Sequence, residues 1–581
     1  MANFLLDNPD LLFHLEHLPL GEIAERQEEG FRDAAEFDYA PADADDAVDN
    51  YRRVLELVGD IAGNQIAPLS EGIDREGPTW DDGEVTYASG IRRSLDLLAQ
   101  ADMMGFTLPR RYGGLNCPAT VYAMATEMVS RADASLMNIF GLQGIAETIN
   151  AFADQDQKAR FLPRFAAGEV TGAMVLTEPD AGSDLQNVQL KAWQDADGTW
   201  RLKGVKRFIT NGCGDVLLVL ARSEPDETGG LGLSLFLLEN NSRVRIRRIE
   251  DKLGIHGSPT CEMQFNDVPC ELVGERHRGL VTYVMALMNG ARIGIAAQGL
   301  GIAEAAYREA RAYAYHRVQF GKRIEELPPV ADLLVDMKMN LEAARALLCF
   351  TTAQVDHDVA LQRRLQEDRY DDADQRSADN KRQKQLKRVT ALLTPMSKYY
   401  CSELAQTCAN DCISVLGGSG YMRDYRAEQL FRDARITTIY EGTSQLQVLA
   451  AVRGVTSGQA EKLFVEFDAR EPAGDDERHL RDRLGEMRGL LQAAVDHVKA
   501  GGADYLDLSA RKLVDTAIDS LIGYLLLEQA ARADRKKVIA GRFITQAHAR
   551  AKAKIEQVLS GERTTLDAYD DLVGPLIEEE A

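Results

Sequence analysis

Residues 431–445 read Phe-Arg-Asp-Ala-Arg-Ile-Thr-Thr-Ile-Tyr-Glu-Gly-Thr-Ser-Gln, and they set a carboxylate, Glu441, in a break between two helical patterns. A carboxylate on a loop held by rigid helices can act as a general base. Gly442 lets backbone come close to a ligand, and Thr443 adds a hydroxyl. Taken alone, Glu-Gly more often marks the end of a helix. Four further stretches bear on the choice. Thr177-Glu-Pro-Asp-Ala-Gly-Ser-Asp184 leaves a β-run and turns, offering backbone N–H groups and two hydroxyls to a polar ligand. Phe208-Ile-Thr-Asn-Gly212 supplies an aromatic ring and then a hydroxyl. Arg317-Val-Gln-Phe-Gly-Lys322 carries an arginine, whose planar donors suit a pyrophosphate. Leu416-Gly-Gly-Ser-Gly-Tyr421 permits close backbone approach before a helix. Ordinary turns are the plainer reading of each one singly.

Other chemistries are unsupported. There is no G-x-G-x-x-G after a strand, no G-x-x-x-x-G-K-[ST] and no H-E-x-x-H. Nine scattered histidines form no metal constellation, so no metal site is expected, and His256 reads as loop packing. Eight cysteines lack a paired C-x-x-C pattern and read as reduced thiols in a cytoplasmic protein. A formal charge of −24 argues against nucleic acid or an anionic membrane as a partner. No uninterrupted apolar run reaches bilayer length, so no transmembrane segment is expected. Asp7, Asp10 and Glu16 stand where a signal peptide needs positive charge.

The elements that must position these groups follow from periodicity, and the fold class is α+β, mainly α. Residues 1–165 read as a helical domain without strands, in which Asn64–Pro68 ends a helix begun at Tyr51 and Arg110–Gly114 is a turn. Residues 166–285 show short alternating or apolar runs, with Asp-Ala-Asp-Gly at 195–198 as a hairpin turn, which predicts a compact antiparallel β-domain. Residues 286–455 form a helical bundle whose Ala- and Gly-rich stretch Gly290–Arg311 suits a tightly packed centre. A charged interval at about 355–390 within it reads as a solvated insertion or helix extension. Residues 456–581 make a C-terminal helical extension. Val514, Ile518, Leu521 and Leu525 share one face of a helix there, whose partner is the chain, a second subunit or a membrane. The acidic end Ile577–Ala581 disfavours the membrane.

These segments, in this order, resemble the acyl-CoA dehydrogenase family over roughly residues 50–455. The likeness rests on VLTEPDAGSD (175–184), FITNG (208–212), KLGIHGSPT (252–260), RVQFGK (317–322), LGGSGY (416–421) and RDARITTIYEGTSQ (432–445). The charged interval and C-terminal extension resemble the large bacterial members. The resemblance implies FAD as cofactor and α,β-dehydrogenation of an acyl-CoA thioester to the trans-2-enoyl-CoA. It assigns Glu441 as the base for the α proton, with its own N–H holding the thioester carbonyl while hydride passes to flavin N5. Electron-transfer flavoprotein would then take the electrons.

Residue by residue, the resemblance places Met174, Leu176, Thr177, Gly182, Ser183, Phe208, Ile209 and Thr210 at the flavin, with phenylalanine at 208 where tryptophan is usual. Arg317 and Phe320 would reach FAD bound by a neighbouring subunit, Gly417 and Gly418 its adenine side, and Thr443 with Gln445 the flavin after the base. Ser183, Ser223, Arg292, Tyr440, Glu441 and Gly442 would contact substrate. Ser414 and Pro328 replace glutamines of many members. Ala291 removes the alternative position for the base, and Met137 replaces an arginine of glutaryl-CoA members, which leans against a dicarboxylic acyl group. A homo-oligomer is expected, a dimer before a tetramer. The rival readings are an acyl-CoA oxidase of the same fold and a non-catalytic flavoprotein.

Overall fold

The computed structural model describes residues 2–368, 370, 372–470 and 474–576. Arg369 and Asp371 of the charged interval, and the acidic end 577–581, lie outside them.

The centre of the bundle is the helix Met285–His316, entered through a π-helical turn at Gly279–Val284. Its glycines explain how close its neighbours come. A Cβ on Gly301 would stand 2.4 Å from the Glu127 carbonyl oxygen, and one on Gly299 would stand 2.7 Å from that of Cys401. Helices Ala119–Ala132 and Ala373–Leu416 therefore lie almost backbone to backbone against it. By length and apolar composition the stretch Gly279–His316 could cross a membrane. Here it is core, with Ile293 through Ala306 buried, including Gln298 and Glu304.

The charged interval extends two long helices, Pro328–Gln366 and Ala373–Leu416. Lys381, Arg382, Lys384, Lys387 and Arg388 face solvent, while Leu386 and Val389 turn inward. This is the helix-extension reading of that interval.

Two expectations for the N-terminal part are corrected. Asn64–Pro68 does not end the helical path. Helix Ala44–Asp60 runs on through a π turn (Ile61–Ile66) and a 3-10 turn (Ala67–Leu69) into Ser70–Glu76. The widened turn accommodates the chain start, where Ala2 N–H donates to Asn64 Oδ1 at 2.8 Å and the Ala2 carbonyl lies against Gly63. This part also contains strands. Thr79–Asp81 and Glu84–Thr86 form a small antiparallel hairpin, with Trp80 Nε1 donating to the Ile246 carbonyl at 3.1 Å.

The β-domain is a seven-stranded sheet, and it is mixed where an antiparallel one was expected. Gly172–Val175 runs parallel to Val216–Arg222, which pairs antiparallel with Leu233–Glu239 on its other side. Val216 through Ala221 are all buried because both faces are covered: Val216, Leu218 and Leu220 pack with Ile145 and Phe165, and Leu217 and Val219 with Phe236 and Phe265. The hairpin at 195–198 is present, pairing Gln194 with Trp200.

In the C-terminal region, Ala503–Ala530 packs against Asp475–Gly501, Asp534–Leu559 and Ser444–Thr456. Val514, Ile518, Leu521 and Leu525 are buried in this shared core, so the partner of that face is the chain itself. A buried ionic network fastens the ends of the molecule together. Asp10 accepts from both Arg345 and Lys536, Arg345 also reaches Glu127 at 2.7 Å and Glu304 at 3.0 Å, and Lys536 reaches Glu342 at 2.7 Å.

Candidate active site

Helix Ala427–Thr437 and helix Ser444–Thr456 carry the Glu441 loop between them. Glu441 itself takes a left-handed backbone, φ +54°, and Gly442 follows at +89°. For a glutamate that conformation is strained and must be held by its surroundings. Three side chains hold it. Lys398 Nζ donates to the Thr437 carbonyl at 2.6 Å and to that of Gly442 at 2.9 Å. Gln447 Nε2 donates to the carbonyls of Glu441 at 3.1 Å and Gly442 at 3.0 Å. Arg292 Nε reaches the Glu441 carbonyl at 3.4 Å. The φ of +89° at 442 favours glycine, and a Cβ there would also push Gln447 Nε2, 2.6 Å away, off the carbonyls it holds. The backbone N–H of Glu441 makes no hydrogen bond among the described residues. Thr443 caps the next helix, its Oγ1 accepting from Leu446 N. Gln445, in the first turn of that helix, is exposed.

Burial pushes the Glu441 carboxyl up to about 7, against the opposing pull of Lys398 and Arg292. Glu441 nonetheless keeps some exposed surface. The same desolvation pushes the Lys398 ammonium down to about 7, partly offset by Glu441, and lowers Arg292. Tyr440 is committed elsewhere: its hydroxyl donates to Gln298 Oε1 and lies 3.1 Å from Asn138 Oδ1.

The two loops on the sheet are built as one piece. Arg207 N–H donates to the Thr177 carbonyl at 3.0 Å. Lys206, fully buried, donates to the Leu176 carbonyl at 2.6 Å and pairs with Glu178 at 2.9 Å. Glu178 in turn accepts from the N–H groups of Gln189 and Leu190. At the other edge Asn211, also left-handed at φ +54°, is anchored by its Nδ2 to the Gly172 carbonyl and by the Tyr87 hydroxyl. The hydroxyls of Thr177, Ser183 and Thr210 hydrogen-bond to nothing else among the described residues, and Gly182 is open. Leu176 and Ile209 are buried beneath the loops and Met174 is half-buried. Phe208 is half exposed at φ +59°.

Among the described residues, thirteen non-glycine residues have positive φ. Phe208, Asn211, Ile255, Phe320 and Glu441 are among them, one or two in each of four motifs picked out by sequence. Strain concentrated in this way marks a functional site.

Some expected site residues are not brought together within one chain. Arg317 caps the far end of the central helix and Phe320 lies on the short hairpin Val318–Arg323 that follows, 90% exposed. Gly417 and Gly418, with nothing near a would-be Cβ, lie at the same end, where Tyr313 Oη donates to Ser419 Oγ at 3.2 Å. An eleven-residue helix separates them from the Glu441 loop. Ser223 is buried at the end of its strand and bonded to Ser234 Oγ at 2.7 Å, so its hydroxyl is engaged inside the β-domain. Sequence reasoning passed over Lys398, Gln447, Lys206 and Glu178. For Lys398 and Lys206 the available signal was a lysine among apolar or β-patterned neighbours; Gln447 and Glu178 carried none.

Comparison with known proteins places this geometry. The N-terminal, middle and C-terminal domains of acyl-CoA dehydrogenase match residues 49–169, 173–268, and 278–366 with 375–456. A further acyl-CoA dehydrogenase C-terminal domain matches 456–560. The 3-methylmercaptopropionyl-CoA dehydrogenase of Ruegeria pomeroyi is 31% identical over 529 residues, 84% of each chain. Butyryl-CoA dehydrogenase of Megasphaera elsdenii is 31% identical, covering 70% of this chain and 98% of its own, at a TM-score of 0.60. An acyl-CoA dehydrogenase of Bacillus anthracis complexed with FAD, 22% identical, covers 91% of this chain and 92% of its own at 0.74, so its fold includes the C-terminal extension. The fold and site define an oxidoreductase acting on CH–CH bonds. This chain belongs to the acyl-CoA dehydrogenase family.

Proposed function

We propose that this enzyme removes the α proton of an acyl-CoA thioester with Glu441 and yields the trans-2-enoyl-CoA. The observation that carries the reading is that one residue offers both groups the step needs. Glu441 has a carboxyl poised near neutrality and an uncommitted backbone N–H, on a turn held from three sides. The carboxylate takes the proton, and the N–H stabilises the negative charge that develops on the thioester oxygen. Partial burial lowers the local dielectric and strengthens both effects.

The cofactor is FAD. Its fit rests on the open Thr177, Ser183 and Thr210 hydroxyls, the half-exposed Phe208 ring and the unobstructed glycines 182, 417 and 418. When bound, FAD supplies the two-electron acceptor for the β hydrogen. Arg317, Phe320, Gly417 and Gly418 have no role in a lone chain, so the working unit is a homo-oligomer in which a second copy completes the site. Exposed Phe320, Tyr421 and Met422 at that end support this. Electron-transfer flavoprotein is the electron acceptor, in the cytoplasm. Small thioether acyl groups belong in the substrate series, on the strength of the Ruegeria relative.

Anaerobic titration of the purified flavoprotein with acyl-CoAs of graded length and shape tests the reading. One of them bleaches the flavin band, and air restores it slowly. Rapid reoxidation by oxygen would instead show an oxidase. A flavin that no thioester bleaches would support the non-catalytic alternative. Glu441→Gln keeps its flavin and bleaches at least ~100-fold more slowly; a variant within tenfold of wild type removes Glu441 from the role.

A further inference from the structure

Resting on the reading that Glu441 is the base, we propose that Lys398 is its positioning residue. The ammonium of Lys398, tied to the Thr437 and Gly442 carbonyls, closes the chain between them into one turn and so fixes where the Glu441 carboxylate and N–H point.

Lys398 is completely buried on the long helix Ala373–Leu416, where an ammonium is costly to place. Its two hydrogen bonds both leave the helix and go to the two ends of one loop, five residues apart. Thr437 is the last residue of helix Ala427–Thr437, so the cation also meets the negative end of that helix. The Gly442 carbonyl is shared with Gln447, whose other hydrogen bond goes to the Glu441 carbonyl and which carries no charge. Lys398 makes no hydrogen bond to the Glu441 carboxylate, which leaves the base free for its proton.

The charges that face this pocket come from three elements. Glu441 and Tyr440 lie on the loop, Arg292 on the central helix, and Glu403 on the helix of Lys398 itself. Glu403 is occupied by Ser444 Oγ at 2.6 Å and Arg511 at 3.1 Å. Lys398 and Arg292 are the two cations that act on Glu441. Removing the positive charge of Lys398 therefore makes the carboxylate harder to ionise.

The test compares wild type with Lys398→Met, Lys398→Arg and Lys398→Gln. The pH profile of the anaerobic bleaching rate is read alongside hydrogen exchange at the amides of residues 438–443. Bleaching by wild type is scored first, since its absence would count against the reading of Glu441 and not against Lys398. In Lys398→Met the acid limb moves up by about one pH unit or more, the limiting rate falls about tenfold or more, and the loop amides exchange faster. Lys398→Arg, which keeps charge and donors, returns the limb to its wild-type position and slows exchange again. If Lys398→Met does not fold, Lys398→Gln, a neutral donor, still shows the raised limb. A neutral variant whose acid limb and loop exchange match wild type would overturn the proposal.

Discussion

Lys206 and Glu178 form a buried ion pair, 2.9 Å between Nζ and Oε1, that joins the two loops placed at the flavin. Each of the two residues backs one of the loops expected at the cofactor. Lys206 also holds the Leu176 carbonyl, and Glu178 takes two backbone N–H groups from Gln189 and Leu190. Breaking one side of such a pair leaves the other charge buried and unpaired. Lys206→Met is expected to lower unfolding stability by about 3 kcal/mol and to weaken FAD retention, read as denaturant midpoint and flavin released on gel filtration. Unchanged flavin retention would separate the pair from the cofactor site.

Glu441 links activity to stability with opposite signs. Its folded-state carboxyl is raised to about 7 from an ordinary value near 4.5. A raised carboxyl favours the folded state while protonated, so that contribution is present below pH 4.5 and is lost as pH rises through 7. Glu441→Gln escapes this loss. The variant should be more stable than wild type by about 1–2 kcal/mol at pH 8, with the gap closing toward pH 4.5. Asp433 and Asp356, pushed up by burial to about 7 and about 6, follow the same trend in both proteins and cancel in the difference. Thermal unfolding at a series of pH values decides it; a gap that does not narrow on acidification would refute the assigned shift.

Gly301 tests the packing of the central helix. A methyl there meets the backbone of Glu127 and Arg131 at 2.4 and 2.8 Å, and neither can step aside alone. Gly301→Ala should cost about 3 kcal/mol or more, whereas Gly485→Ala, on an exposed helical site with open space, should gain about 0.5–1 kcal/mol. Chemical denaturation of the two variants gives the comparison, and similar effects at both sites would contradict the close helix approach.

Arg317 tests the second-copy reading. It is exposed and remote from Glu441 along the bundle. Arg317→Ala should release FAD on dilution while leaving the monomer fold intact, seen as flavin fluorescence rising with falling protein concentration and an unaltered circular dichroism spectrum. Wild-type flavin retention at every concentration would place Arg317 outside the site.

The chemistry-bearing loops were legible in the sequence because each is a short run of unusual residue types: Glu-Gly after an aromatic, paired hydroxyls in a turn, an arginine hairpin. The helix–sheet–helix order was legible from periodicity. What escaped has identifiable causes. Lys398 and Lys206 look like solvent-facing lysines, since a sequence does not show which carbonyls will need a cation. The sheet came out mixed because runs such as Val216–Ala221 report burial on both faces and not the direction of a neighbour. The hairpin 79–86 was missed because three-residue strands with exposed side chains carry no alternation. Asn64–Pro68 imitated a helix stop, but a π turn absorbed the irregularity.

Asp10 and Lys536, which meet in the core, stand 526 residues apart in the sequence. Glu342 likewise pairs with Arg535 and Lys536. Without the residues beyond 456, Asp10 keeps Arg345 and Glu342 keeps Lys338, but the cation that ties the two carboxylates to each other is gone. Removing the residues beyond 456 is therefore expected to loosen the first helix and to admit early protease cleavage before residue 20.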